Sequence, residues 1–344
     1  MSSWLDTLKS HNVQIDNAGH AIIASPQSAS TTITPLTHLG IFDVIGPDAL
    51  SFLQGQLSCD LNDVAAGQSR LGSHCNIKGS MVSLSRLIAV EDGFWLRTTL
   101  STLAQGQANL KKYMMFSKSE SQDISAQIVG LGIQGEQAAQ LLASLCTAVP
   151  EADDQCVATH NGVLVKEPGE RFELWLPVEE AQAILPKLLK QAALSDSNSW
   201  QLADIRQGIP SLQPETLETF IPQMTNLQIF GGVSFSKGCY TGQEIITRLQ
   251  HRGKLKRPMF RLSADIAEPP VAGTSLSSAD RDGIGTVVAA AKTEDGRVEL
   301  LAVMLKDSFD DNSQKIHLES SNGAVLNRLD LPYELDPELF ESKR

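Results

Sequence analysis

Hydrophobic and polar residues alternate in two similar blocks along the first 200 residues. Apolar runs at 84–90 and 94–98 flank the turn Glu-Asp-Gly, and a helical pattern follows from about 101 to 116. The same order returns further along the chain, at 163–167, 172–176 and about 178–192. Asp-Gly and Pro-Gly are turn signals, and helices that follow paired strands are typical of α+β structure. The pattern predicts two α+β lobes.

The stretch between the two blocks also has a readable pattern. Residues 126–133 form an apolar run that predicts a buried strand, and 136–146 carry leucines at helical spacing. Residues 150–155 are polar and predict a loop. We therefore place the division between the lobes near 120–160.

After Pro258 the pattern changes to short apolar runs without helical spacing. They lie at 260–262, 285–291, 297–305 and 324–331, and Asp295-Gly296 indicates a hairpin turn. Four or more short strands without helices predict a small β-barrel. The predicted fold is thus α+β, with two lobes in 1–257, a barrel in 258–336 and a frayed tail in 337–344.

Composition narrows the class of protein. The 344 residues are 42% hydrophobic and 20% charged, with a net charge of −12 and a pI near 5.1. Such an acidic chain argues against a general nucleic-acid binder. Five cysteines without a C-x-x-C motif or a tight Cys/His cluster predict neither a disulfide framework nor a metal site. With no signal-like N-terminus and no long apolar run, we expect a cytoplasmic protein with no membrane partner.

One segment departs from this acidic background. Residues 237–257 hold six Lys or Arg and one acid, so the segment carries +5 and the rest of the chain −17. Cys239 lies inside it, two residues from Lys237. Because nearby cations favour a thiolate, we expect Cys239 to be reactive and Lys237 to activate it. The other four cysteines are expected to be buried and inert.

The residues that follow Cys239 predict a helix start. Thr241-x-x-Glu244 matches a capping box, which implies a helix that begins at Gly242 with Thr241 as its N-cap. The positive end of a helix dipole near Cys239 would also favour the thiolate.

Several motifs here resemble those of one known family. Lys-Gly-Cys-Tyr-Thr-Gly-Gln-Glu at 237–244, Phe-Ile-Pro-Gln-Met-Thr-Asn-Leu at 220–227 and Arg-Gly-x-x-x-Arg at 252–257 closely resemble the signature of the YgfZ-type folate-binding proteins. The resemblance extends through 46–60 and Cys-Asn-x-Lys-Gly at 75–79, and so covers most of the chain.

The resemblance implies both a fold and a function. The family is similar to the T-protein, the aminomethyltransferase of the glycine cleavage system, and is implicated in maintaining iron–sulfur enzymes, including one that thiomethylates tRNA. It implies tetrahydrofolate or another reduced folate as the cofactor, bound in the cleft between the lobes with Cys239 at its rim. Iron–sulfur enzymes or cluster-assembly proteins are the implied partners, with an indirect link to tRNA. The thiolate could be a nucleophile toward a one-carbon adduct, a transient cluster ligand or a reductant.

Trp200 is the predicted stacking platform for the folate. An indole can stack on a flat pterin or aminobenzoyl ring, although a tryptophan beside a helix is more often core by pattern alone. The resemblance favours the folate role, since YgfZ-type proteins are held to use a tryptophan here. A second family tryptophan aligns with Leu39 in this chain.

A Pro-rich loop supplies further candidates for folate binding. Glu215 and Glu218 could accept paired N–H donors from a pterin edge, although acids in such loops are mostly solvated. The T-protein resemblance favours Glu215. Gln223 and Asn226 could either contact the ligand or hold the loop through bonds to the backbone.

Two other functions are open to this sequence. A T-protein-like aminomethyl transferase carries an acid after its Asn-x-x-Gly-like turn, but residues 79–86 here contain none, which argues against that activity. Alternatively, the basic segment 237–257 could be a docking surface for an acidic protein or tRNA, or simply a solvated face.

Overall fold

The computed structural model describes residues 3–24, 29–159 and 162–341 of the chain. Within these residues the α-helices are α1 (Trp4–Ser10), α2 (Ala49–Gln54), α3 (Leu61–Ala65), α4 (Leu100–Lys111), α5 (Ala138–Ala143), α6 (Val178–Leu188), α7 (Ser197–Arg206), α8 (Gln243–Arg252) and α9 (Lys306–Asp310). Short 3₁₀ turns occur at Met114–Phe116, Pro214–Thr216, Pro222–Thr225, Leu227–Phe230 and Pro337–Phe340.

The strands of the described residues are mostly short. They are β1 (Gln14–Ile15), β2 (Ala21–Ile22), β3 (Thr31–Pro35), β4 (Leu39–Ile45), β5 (Arg70–Cys75), β6 (Met81–Val90), β7 (Gly93–Thr99), β8 (Ile128–Gly135), β9 (Cys156–Ala158), β10 (Val163–Glu167), β11 (Arg171–Pro177), β12 (Ala193–Leu194), β13 (Met259–Ala264), β14 (Ser275–Ser277), β15 (Gly285–Lys292), β16 (Val298–Met304), β17 (Ile316–Leu318) and β18 (Val325–Leu329).

The chain divides into two compact units that interleave along the sequence. Unit 1 comprises residues 1–52, 61–70 and 85–200, and unit 2 comprises 53–60, 71–84 and 201–344. Strand β6 contributes its first four residues to unit 2 and the remainder to unit 1. Each unit has its own hydrophobic core.

Unit 1 is built on a six-stranded sheet of order β12-β3-β8-β11-β10-β9. Helices α1, α5 and α6 cover one face, where Leu131 and Ile133 of β8 meet Leu142 and Leu185. The alternate residues of the same strands point to the opposite face, as the two-residue period of a strand requires. This opposite face carries the tryptophans and charged residues considered below.

On the opposite face, two glycines of β8 make room for two indoles. Gly130 pairs with Trp175 across the strands, and a Cβ at Gly130 would lie 2.7 Å from the Trp175 ring. A Cβ at Gly132 would lie 2.6 Å from the ring of Trp200. Strand glycines often mark such close approaches.

A second sheet of unit 1 packs near these indoles. Strands β4 and β7 pair antiparallel, and residues 85–90 of β6 pair with β7. Ile41 of β4 and Ile88 of β6 are buried in the same hydrophobic cluster as Trp175 and Trp200. The two indoles therefore lie in a core of their own, separate from the helix-covered face.

Unit 2 contains the C-terminal barrel. Strands β13-β16-β15-β14-β17-β18 close into a six-stranded barrel, and its interior is filled by side chains such as Leu262, Leu300 and Leu326. A second core of unit 2 gathers residues that are far apart in sequence, including Cys75, Tyr240, Ile246 and Met259.

These observations confirm the predicted α+β class and the small C-terminal β-barrel. The helix predicted over about 101–116 is shorter in the structure. Helix α4 ends at Lys111, and a separate 3₁₀ turn spans Met114–Phe116. The predicted domain boundaries remain a prediction.

Part of the predicted tail is structured. Residues 337–340 form a 3₁₀ turn, Leu339 is 8% exposed, and the Leu255 N–H donates to the carbonyl of Leu339 at 2.7 Å. The remainder of the predicted tail, 342–344, lies outside the described residues.

The contact between Gly132 and Trp200 can be tested by adding one methyl group. Gly132→Ala should lower the free energy of unfolding by about 1–3 kcal/mol. The added Cβ would overlap the ring of Trp200, and neither the buried strand nor the buried indole has room to move away from it. Gly238→Ala is the matched control, since no atom lies within 4 Å of a Cβ built there. Equal urea midpoints for the two variants would contradict the assigned packing.

Candidate functional site

The loop that carries Cys239 runs into α8 through a glycine, not through the predicted capping box. Gly242 is the N-cap, with φ +85° and no side-chain cap bond, so the prediction of Thr241 as N-cap was wrong. Thr241 instead donates its hydroxyl to Gln56 Oε1 at 3.3 Å. A Cβ at Gly242 would lie 2.7 Å from the carbonyl oxygen of Asn76 and 2.9 Å from Cβ of Cys75. Close packing against residues 75–76 therefore sets this helix start.

The turn 76–80 lies against the first turn of α8. Oδ1 of Asn76 accepts the N–H groups of Lys78 and Ser80, which closes the turn. Gly79 has φ +77°, and a Cβ there would lie 3.0 Å from Cβ of Ile245. Two motifs that resemble the known family, 75–79 and 237–244, are thus in direct contact within unit 2.

Lys237 brings a third motif segment to the same place. Its ammonium donates to the carbonyls of Leu57 and Cys59 at 2.9 and 2.7 Å and to Gln54 Oε1 at 3.1 Å. Burial lowers the pKa of this ammonium to about 8, while the three oxygen acceptors hold the group in place. Lys237 thus ties the Cys239 loop to residues 54–59. Its predicted role as activator of the thiol remains a prediction.

Cys239 is the exposed thiol among the five cysteines. Cys59 and Cys75 are buried, and Cys146 and Cys156 are half-buried. Burial raises the pKa of the Cys75 thiol to about 12, and it raises the pKa values of Cys146 and Cys156 as well. The exposure of Cys239 therefore favours it as the reactive thiol.

Gln223 and Asn226 are both fully buried and bond to backbone. Gln223 Nε2 donates to the carbonyl of Ile246 in α8 at 2.7 Å, and Asn226 Nδ2 donates to the carbonyl of Met259 in β13 at 2.9 Å. Asn226 has φ +57°, in the left-handed region that asparagine tolerates. These contacts match the alternative in which Gln223 and Asn226 hold the loop through hydrogen bonds to the backbone.

The two glutamates of the same loop are exposed. Glu215 lies in the 3₁₀ turn Pro214–Thr216. Glu218 accepts a hydrogen bond from Asn76 Nδ2 at 3.0 Å, so it braces the turn 76–80. Folate binding by Glu215 remains a prediction.

Trp200 does not offer an open stacking face. Its side chain is 1% exposed, the Arg171 guanidinium lies 4.1 Å from the ring centroid, and Gly132 contacts the ring. The role of Trp200 as a stacking platform for folate remains a prediction. A pterin could stack directly on the indole only if Arg171 left it.

Leu39, which aligns with a family tryptophan, borders a cavity in unit 1. The cavity has a volume of about 330 Å³ and is lined mainly by apolar side chains, including Trp4, Leu36 and Leu100.

A buried set of charges beside Trp200 escaped the sequence analysis. Arg86, 1% exposed, donates to Glu167 Oε2 at 2.5 Å and to Asp154 Oδ1 at 2.6 Å. Arg97 donates to both oxygens of Glu173, at 2.8 and 3.1 Å. We call Arg86, Arg97, Asp154, Glu167, Arg171 and Glu173 the buried charge cluster.

The buried charge cluster lies on the same sheet face as the two indoles. Glu173 pairs across the strands with Gly132, the residue that contacts Trp200, and Glu167 pairs with Arg171. The indole nitrogen of Trp175 donates to Glu173 Oε2 at 2.9 Å. The cluster and the tryptophans therefore form one continuous site in unit 1.

The pKa values of the two glutamates of the cluster are shifted in opposite directions. Burial raises the pKa of both carboxyls, but Arg86, Arg97 and Arg171 together hold the pKa of Glu167 below its ordinary value. For Glu173 the effect of burial dominates over that of Arg97, and its pKa is raised.

The sequence did contain a signal for this cluster. Each of the strands β6, β7, β10 and β11 carries at least one charged residue within or at the end of a mainly apolar stretch. Charged residues at such positions are buried only when they are paired. Their presence on four strands indicates mutual pairing.

Two other kinds of site are not found in the described part of the chain. Within residues 3–24, 29–159 and 162–341, no three or more His, Cys, Asp or Glu side chains are grouped so as to hold a metal ion. No helix there is both long and apolar enough to cross a membrane.

Comparison with known proteins relates the chain to a named family. Residues 27–161 match the family model of the GCVT N-terminal domain. The tRNA-modifying protein YgfZ of Pectobacterium carotovorum is 34% identical over 328 residues, which covers 94% of this chain and 97% of that protein. The tRNA-modifying protein YgfZ of Photorhabdus laumondii is 36% identical and covers 91% of this chain and 96% of its own length.

A solved structure supports the fold. The glycine cleavage system aminomethyltransferase T of Bartonella henselae superposes with a TM-score of 0.74 over 95% of this chain and 96% of that one, at 18% sequence identity. At this identity the likeness establishes the fold alone.

The exposure of Cys239 leads to a chemical test. In native protein at neutral pH, iodoacetamide should label Cys239 first of the five cysteines, because the others are shielded to different extents. Peptide mass mapping over a time course measures the order of labelling, and unfolded protein provides the control in which all five should react. Faster labelling of Cys146 or Cys156 would contradict the assignment.

Proposed function

Because the chain belongs to the YgfZ family of tRNA-modifying proteins, we propose that it binds tetrahydrofolate or another reduced folate and helps to maintain iron–sulfur enzymes that modify tRNA. The observation that carries the proposal is the buried charge cluster beside Trp200. A ligand that is flat, carries paired N–H donors on one edge and ends in carboxylates matches such a set of side chains.

Glu173 is the best candidate for the pterin edge. A carboxylate accepts paired N–H donors from an aminopyrimidinone. Both oxygens of Glu173 accept from Arg97, and Oε2 also accepts from the indole nitrogen of Trp175, so in this proposal the pterin edge replaces one of these donors. Its neighbour Arg171 is planar and can pair with a ligand carboxylate through two hydrogen bonds. Both side chains are buried, so their interactions with a ligand would be strong.

In this proposal Trp200 is a positioning residue. Its indole lies under the Arg171 guanidinium at 4.1 Å, and a cation over an aromatic face is stabilised by the ring. Loss of the indole would leave Arg171 without its support. The effect on folate would then be transmitted through Arg171.

In this proposal the Cys239 thiol is the group that reacts with the iron–sulfur proteins that the chain maintains. It is the exposed thiol among the five cysteines and lies on a loop fixed by Lys237 on one side and by Gly242 on the other. A fixed but accessible sulfur can reach a group presented by another protein.

A second candidate function is docking through the basic segment. Arg248, Arg252, Lys254 and Lys256 are all exposed on or directly after α8. An acidic protein or tRNA could bind there without any chemistry at Cys239. An aminomethyl transferase is less well supported, since strand β6 presents Ser83, Ser85 and Arg86 where such enzymes carry an acid.

Folate binding is tested by calorimetric titration with tetrahydrofolate under reducing conditions. Wild type should bind saturably, and both Trp200→Phe and Arg171→Lys should weaken the affinity at least tenfold, because each disturbs the same stacked guanidinium. Trp4→Phe is the matched control, since Trp4 belongs to the helix-covered core of the same unit and not to the cluster that contains Trp200. An effect of Trp200→Phe without one of Arg171→Lys would favour direct stacking on the indole. Unchanged affinity in both variants would remove folate from this site.

The role of Cys239 is tested in a bacterial strain that lacks its own YgfZ protein. Cys239→Ser should fold like wild type, because the residue is exposed, yet fail to restore thiomethylated tRNA nucleosides under oxidative stress. Cys146→Ser should restore them as wild type does. Full rescue by Cys239→Ser would contradict chemistry at the sulfur and favour the docking function.

A further inference from the structure

A short segment of unit 1 exposes apolar side chains to an unusual degree. Tyr113 is 48% exposed, Met115 81% and Phe116 94%. They follow α4 directly and occupy the 3₁₀ turn Met114–Phe116 with its preceding residue. Lys111, Lys112 and Lys118 are exposed around them, and Glu120 is the one acid in 111–120. We call residues 111–118 the apolar tip.

The apolar tip is held firmly by the protein beneath it. Met114, between the two outward residues, is 9% exposed and anchors the turn. The N–H of Lys118 donates to Asp48 Oδ2 at 2.8 Å, and Glu120 and Ile45 exchange backbone hydrogen bonds at 2.8 and 2.9 Å. The backbone of the apolar tip is therefore anchored at Met114, Lys118 and Glu120, which reduces the backbone entropy lost on binding.

From these observations, and resting on the function proposed above, we infer that the apolar tip is the docking site for a client protein that offers an apolar pocket bordered by carboxylates. Aromatic residues and methionine are enriched at the centres of protein interfaces, and charged residues lie at the rim. The apolar tip has the same arrangement on a smaller scale, with exposed apolar side chains at its centre and lysines around them. Its three apolar side chains expose on the order of 400 Å², within the range of functional surface patches, and the lysines enlarge it toward the roughly 800 Å² that one partner contributes to a standard interface.

Other occupants fit the tip less well. A second copy of this chain in a two-fold dimer would bring six lysines together, because such an interface repeats the same patch on both sides. Single-stranded RNA stacks on several aromatic faces along a cationic groove, whereas the exposed apolar residues of this tip include a methionine beside Tyr113 and Phe116. An anionic membrane would attract the lysines but repel a chain of net charge −12.

The test places a photo-crosslinking p-benzoylphenylalanine at position 116 in living cells. The crosslinked partner is identified, its linked residue is mapped, and the partner is purified for binding measurements. The expected result is an iron–sulfur protein linked at an apolar surface that carries Asp or Glu. The same reagent at Val271, which is 65% exposed, should not give this adduct.

Three variants then decide the contribution of the tip to the measured affinity. The double variant Met115→Ser with Phe116→Ser, and the triple variant with Lys111, Lys112 and Lys118 each changed to Glu, should both weaken binding at least tenfold. Val271→Ser should leave it unchanged. Since all the altered residues are exposed, the melting temperature should not fall.

Failure of this inference is distinguishable from failure of the proposed function. Adducts formed only with lipid, RNA or a second copy, no adduct at all, or a partner that binds the variants as it binds wild type would each overturn the docking site. Tetrahydrofolate affinity and the rescue defect of Cys239→Ser do not involve the tip, and they would stand or fall independently.

Discussion

The pairing of Arg86 with Glu167 is the interaction on which unit 1 depends most. Arg86 is 1% exposed and Glu167 is 2% exposed, and each charge has one further partner, Asp154 for Arg86 and Arg97 for Glu167. Breaking such a pair by removing one partner typically costs 3–5 kcal/mol, because an uncompensated charge remains buried. The pair joins β6 to β10, and the neighbouring pair of Arg97 and Glu173 joins β7 to β11 in the same way.

These pairs also explain how the two sheets of unit 1 select their partner face. Arg86 and Arg97 lie opposite each other on neighbouring strands of one sheet, and Glu167 and Glu173 lie on neighbouring strands of the other. Like charges side by side are unfavourable unless the facing sheet supplies the opposite sign. A slip of one residue in β10 or β11 would turn its charge toward the helix-covered apolar core. The cluster therefore fixes register as well as contributing to stability.

The sequence predicts the strands and helices that depend on local hydrophobic patterns. It does not predict the features that depend on contacts between residues far apart in the chain. The strands and the C-terminal barrel followed from hydrophobic spacing and turn signals. The start of α8 did not, because Gly242 is required by the approach of Cys75 and Asn76, which are more than 160 positions away in the chain. The motif Thr241-x-x-Glu244 was a valid local signal that a tertiary contact overrode.

Lys237 and Trp200 show the same limit within the candidate site. Both residues were identified by type and position, but their surroundings depend on carbonyls at 57 and 59 and on Gly132 and Arg171. The Gly-x-Gly spacing at 130–132 in a predicted buried strand was a readable sign that something bulky approaches there. A closer reading of it would have predicted a buried Trp200.

The exposure of Cys239 means that other parts of the surface must determine which molecules react with it. An exposed thiol on an open loop neither excludes water nor selects what reaches it, since a Cβ at the adjacent Gly238 would meet no atom within 4 Å. Selectivity must then come from contacts made elsewhere on the surface, because a small accessible site supplies little binding energy of its own. A chain of net charge −12 that concentrates Lys and Arg at 237–257 and Lys at 111–118 has two places where such contacts can form. The apolar tip is the one of the two that combines charge with a large apolar surface, and apolar burial supplies most of the energy of protein association.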